Sequence, residues 1–114
     1  MGRHVLLLDL VDEAEAIERY EAWHAAKAVP PAIVTSIRDA GITSMDIYRT
    51  GNRLVMVMET DVGFDPARKA ADDASNPAVI AWETRMNQVQ RPLPWADPHA
   101  KWTEAPRIFS LSEQ

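Results

Sequence analysis

The 114-residue chain predicts an α+β sandwich with element order β-α-β-β-α-β, on three observations. Short apolar runs of strand length stand near both ends, a hairpin signal lies in the middle, and a stretch of helical periodicity flanks the hairpin on each side. That order is the ferredoxin-like arrangement, with helices on one face of an antiparallel sheet and the other face left to be covered. A single domain over residues 1–114 follows from the length.

"HVLLLDL", His4 to Leu10, is a nearly continuous apolar run, short enough for a buried strand. Asp12 then stands as a helix N-cap, with Glu15 three residues on as its capping-box partner. The helix is expected from about Glu13 to Lys27, with Ile17, Tyr20 and His24 on one stripe and Trp23 beside it. "VPP" at 29–31 interrupts it. Pro31 suits the first turn of a second segment, in which Ile33, Val34, Ile37 and Ala40 keep helical spacing. Gly41 falls where a left-handed residue ends a helix.

The hairpin strands are expected at about Ser44–Arg49 and Arg53–Thr60, joined by Thr50, Gly51 and Asn52. Leu54, Met56 and Met58 share one face of the second strand, and Val55, Val57 and Glu59 share the other, so it is read as central. Asp65-Pro66 and Asn76-Pro77 are each a cap followed by proline, the start signal of a helix. Ala67, Ala70, Ala71 and Ala74 offer the first of these helices a small-residue face for close packing; Val79, Trp82, Met86 and Val89 stripe the second. "QRPLPWADPHAKW", Gln90 to Trp102, is a loop whose Trp95 and Trp102 are expected to pack, either as a lid or as a buttress over the sheet. "RIFSL", Arg107 to Leu111, is the expected closing strand.

Apolar residues make up 46% of the chain, charged residues 25%, and the net charge is -5. No apolar run approaches the roughly 20 residues of a membrane span, and the amino terminus lacks the pattern of a signal peptide. A cytoplasmic location is expected. Without clustered Lys and Arg, a nucleic-acid surface is not expected. The chain has no cysteine, which removes disulfides and thiol nucleophiles; His4, His24 and His99 lie too far apart for a metal motif, and no glycine-rich phosphate loop is present. No cofactor or metal is therefore expected.

Tyr20 and His24, one helical turn apart, are the strongest candidates for chemistry. Histidine changes charge near neutral pH, and a neighbouring phenol can share a proton or orient a substrate oxygen. The same pattern also describes a helix face that fills a core, with His24 at its polar margin. Trp82 is either core or a stacking platform for a sugar, and Glu59 either a solvated edge or a pocket carboxylate. With Tyr48, these two are the candidate substrate contacts.

Taken in order, these residues resemble the L-rhamnose mutarotase family over nearly the whole length. The likeness rests on Tyr20-x-x-x-His24, Gly41 before the hairpin, the apolar strand ending in Glu59, Trp82, and Phe109-x-Leu111. The chain departs from that family at Pro30-Pro31-Ala32, at Glu83 after Trp82, and in the 90–102 loop. The resemblance implies a dimeric α/β-barrel type of ferredoxin-like fold and a homodimer. It implies interconversion of the anomers of a 6-deoxy-L-sugar, L-fucose or L-rhamnose, with His24 as principal acid/base and Tyr20 as its partner. A cofactor-free monooxygenase of the same fold and a non-catalytic small-molecule-binding module are the alternatives.

Overall fold

The computed structural model describes residues 2–114. Strand β1 (Gly2–Leu10) leads into helices α1 (Ala14–Trp23) and α2 (Pro31–Asp39). The hairpin β2 (Ile42–Thr50) and β3 (Arg53–Thr60) follows, then helices α3 (Pro66–Ala74) and α4 (Pro77–Met86). Two short strands, β4 (Gln90–Arg91) and β5 (Thr103–Glu104), complete the sheet. All pairings are antiparallel, in the order β2-β3-β1-β4, and β5 also pairs with β1. Asp9 and Leu10 face Arg91 and Gln90, while Leu6 and Leu7 face Glu104 and Thr103. Thus β4 and β5 form one interrupted fourth strand, and the sheet has ferredoxin-like order. No helix among the described residues is long and apolar enough to cross a membrane.

Turn chemistry explains the joints. Gly41 has φ +93°, and a Cβ there would lie 2.5 Å from Asp61 Oδ1, so both conformation and space require glycine. Gly51, at φ +56°, turns the hairpin. Asp65 Oδ1 accepts from the Ala67 amide at 3.0 Å, and Asn76 Oδ1 from the Ala78 amide at 3.0 Å, as the cap-proline pairs predict.

Strand alternation decides which side chains meet the helices. Leu8 pairs with Leu54 and Leu6 with Met56, all on the helix-covered face. Leu10 and Leu54 join Ala16 and Tyr20 of α1, together with Met86 and Val89, in the buried core. Val5, Leu7, Val55 and Val57 lie on the opposite face and are half-buried.

Several expectations are corrected. Helix α1 starts after Glu13 without a side-chain cap, so Asp12 and Glu15 form no capping box. It ends at Trp23, and Lys27 adopts φ 67°, breaking the helix before the prolines. Helix α3 buries none of its residues, leaving the alanine face exposed. Arg107–Leu111 is not a strand, and Ile108, Phe109 and Leu111 are 96%, 62% and 77% exposed. The edge of β1 not paired with β3 is already taken by β4 and β5.

Candidate active site

Between the sheet and the helices lies a cavity of about 670 Å³. Leu6, Met56 and Met58 of the sheet and Ile33 and Ile37 of α2 supply apolar lining. Tyr20 and His24 line it from α1 and its end, Trp82 and Glu83 from α4. A volume of this size with an apolar lining and a few polar groups is what small-molecule sites have.

His24 owes its place to the early end of α1. As the C-cap residue its amide turns to the Glu21 carbonyl at 3.2 Å, a tightened last turn. The Tyr20 carbonyl is thereby freed, and the imidazole Nδ1 approaches it to 2.7 Å. A carbonyl can only accept, so Nδ1 carries the hydrogen and donates it. In the neutral ring, Nε2 is then the nitrogen with a free lone pair.

The His24 ring stacks on the Tyr20 ring, with centroids 4.1 Å apart and planes at 29°. Its contact with Trp82 is edge-on, at 5.3 Å and 68°. Tyr20 is 3% exposed, so its ring belongs to the core while the side chain also borders the cavity. The phenol ring thus fills the core, as the packing reading has it, and the imidazole stands at the cavity.

Burial sets the protonation states. Loss of solvent lowers the His24 pKa below its ordinary 6.5, and the hydrogen bond to the Tyr20 carbonyl opposes the shift. The Tyr20 phenol is pushed up to about 12, chiefly by burial; the Gln90 side chain pulls it down and the Glu83 charge adds to the rise. Near neutral pH the pair is thus a neutral imidazole beside a protonated phenol, an acceptor and a donor.

The remaining candidates separate. Trp82 lines the cavity, and the Arg85 guanidinium lies 5.4 Å from its ring centroid. Glu59 and Tyr48 do not line it: Glu59 pairs with Arg3 at 2.8 Å, and Tyr48, opposite Val55, is 60% exposed. Both alternate onto the sheet face away from the helices, because Met58 and Ile47 beside them take the cavity side. Glu83, which the sequence marked only as a departure, does reach the cavity and forms an ion pair with Lys101.

The 92–102 loop is a buttress more than an open flap. Leu93 is 4% exposed, Trp102 packs on the core and lines the cavity, and Lys101 ties the loop to α4. Trp95, expected to pack, is instead 65% exposed, with the Arg53 guanidinium 5.4 Å from its ring. Gln90, read in sequence only as the start of this loop, is buried in β4 and lines the cavity. Its pairing with distant Leu10 left no local signal.

Fold and site together define a ferredoxin-like α+β protein with a small-molecule cavity bordered by a neutral imidazole and a protonated phenol. Comparison with known proteins narrows the class. The L-rhamnose mutarotase family profile matches residues 3–111. The L-fucose mutarotase of Xanthomonas campestris pv. campestris is 48% identical over 113 residues, covering 99% of this chain and 90% of that protein. A UPF0734 protein of Dictyostelium discoideum is 30% identical over 87 residues, covering 75% of this chain and 68% of that protein. Two solved structures share the fold at low identity. The L-rhamnose mutarotase of Formosa agariphila has a TM-score of 0.69 at 17% identity, covering 97% of this chain and 99% of that one. The tetracenomycin F2 cyclase of Streptomyces glaucescens, a type-II polyketide cyclase, has a TM-score of 0.66 at 16% identity, with 96% of each chain covered. The chain belongs to the L-rhamnose mutarotase family, and it is an isomerase that interconverts the anomers of a sugar.

Proposed function

We propose that the sugar is L-fucose and that His24 and Tyr20 carry the proton transfers. The observation behind the roles is the Nδ1 bond to the Tyr20 carbonyl, which leaves Nε2 as the base. Nε2 takes the proton of the anomeric hydroxyl as the C1–O5 bond breaks, and the Tyr20 hydroxyl gives its proton to O5. The sugar opens to its aldehyde, and the C1 end rotates about C1–C2. On reclosure O5 attacks the other carbonyl face, its proton returns to Tyr20, and the imidazolium returns the other to the carbonyl oxygen. The balance is one proton out and one back at each group. Trp82 and Trp102 wall the cavity and limit water around the open aldehyde.

The 48% identity to an L-fucose mutarotase supports L-fucose over L-rhamnose. The two 6-deoxy-sugars differ in configuration at C2 and C4, so hydrogen-bonding groups at the cavity wall must discriminate them. A second copy of the chain is the proposed cover for the half-buried valines of the open sheet face and the exposed Ile108, Phe109 and Leu111.

Saturation-transfer NMR on both sugars, with sedimentation of the same sample, tests this reading. Faster anomer exchange for L-fucose than for L-rhamnose, from a dimer, is expected. Tryptophan fluorescence changes without accelerated exchange would mean a binding module; faster exchange of L-rhamnose would reverse the sugar assignment. A monomer would leave the sheet face to another cover.

A further inference from the structure

We propose that Gln90 is a sugar-positioning residue, whose buried carbonyl oxygen accepts a hydrogen bond from a ring hydroxyl of the sugar held at Tyr20 and His24. The proposal deepens the reading above and rests on it.

Gln90 lies in a two-residue strand, and its antiparallel register with Leu10 turns its side chain toward the helices. The residue is 7% exposed. Its Oε1 has no hydrogen-bond partner among the described residues. Buried polar atoms in native proteins are nearly always paired, and an acceptor stripped of water without a partner costs stability. A methionine of similar length would fill the same space without that cost. Retention of an amide here therefore calls for a donor that arrives from outside.

The cavity supplies the place for one. Gln90 lines it together with Tyr20, His24, Trp82 and Glu83. Thr103 Oγ1 is the other buried unpartnered side-chain atom among the described residues, and Thr103 is not part of the lining. The Gln90 side chain also counters, in part, the rise that burial causes in the Tyr20 pKa. Gln90 thus borders the cavity beside the phenol, and a rotation of its amide would turn the enclosed, unused acceptor into the same space. A pyranose carries ring hydroxyls within a few bonds of O5, so a sugar seated at the phenol brings a donor to Oε1.

The test uses Gln90→Met with L-fucose and its 2-deoxy, 3-deoxy and 4-deoxy derivatives. The variant is expected to keep its Tm, since an unpaired acceptor is removed, and to lose about tenfold or more in kcat/KM for L-fucose. One derivative should show the same loss with the wild-type protein, and on that derivative Gln90→Met should lose nothing further. Equal losses on all four sugars would make the role structural and overturn the proposal, as would an unchanged kcat/KM. A wild-type protein inactive on every sugar would overturn the mutarotase site itself; an active wild type with an indifferent variant would overturn Gln90 alone. Should Gln90→Met fail to fold, the side-chain amide resonance of Gln90 in the wild type carries the test. It is expected to shift on addition of L-fucose, and a resonance that stays in place would overturn the proposal.

Discussion

Replacing His24 with alanine is expected to abolish acceleration of anomer exchange while leaving the fold in place. In the proposed mechanism the imidazole supplies the base at Nε2, and positioned acid/base catalysis contributes about 10²–10⁴-fold. A loss of that size in saturation-transfer rate is the expected result. The stability change should be small. His24 sits at the C-cap of α1, half-buried, and its removal frees one carbonyl hydrogen bond, worth about 1 kcal/mol. Circular dichroism and a thermal melt near those of the wild type, with exchange reduced to the solution rate, would match this account. An alanine variant as fast as the wild type would remove His24 from the mechanism.

Tyr20→Phe is expected to have the second largest effect. The ring is 3% exposed and packs with Leu10, Leu54 and Met86, so phenylalanine keeps its apolar contacts. Only the hydroxyl is lost, and with it the proposed donor to O5. The exchange rate should fall by about 10²-fold, with a stability change within about 1 kcal/mol. A grossly unfolded variant would show that the hydroxyl serves the core. A variant of wild-type rate would pass the proton at O5 to another group.

The part of this site that lay within one helix was legible in the sequence, and the part assembled across the sheet was not. Tyr20 and His24 are four residues apart, and local periodicity placed them on one face. Trp82 fell on a helical stripe for the same reason. Alternation along β3 separated its two faces without saying which met the helices, so it left open whether Glu59 reaches the cavity. The same held for Tyr48 on β2. Gln90 was missed because β4 is two residues long and exists only through pairing with β1. The closing strand failed differently: Ile108, Phe109 and Leu111 have the apolar character of a strand, but β1 has no free edge left for one. The order of elements survived these errors because caps, prolines and the hairpin glycine are local signals.

The same burial that prepares the site has a thermodynamic consequence. The His24 pKa in the folded chain lies below 6.5, its ordinary value in the unfolded chain. Between those two values the unfolded state binds more protons, so stability is present above pH 6.5 and falls as pH drops across that window. Tyr20 works at the other end. With its pKa pushed up to about 12, it contributes stability that is complete below pH 10 and is lost as pH rises toward 12.

The most direct measurement of the central claim is a ¹⁵N NMR titration of the His24 ring, with and without L-fucose. The account predicts a neutral ring at pH 7 with the hydrogen on Nδ1, a midpoint below 6.5, and a shift of the Nε2 resonance when L-fucose binds. A ring protonated on Nε2 at neutral pH, or an Nε2 resonance indifferent to the sugar, would contradict it.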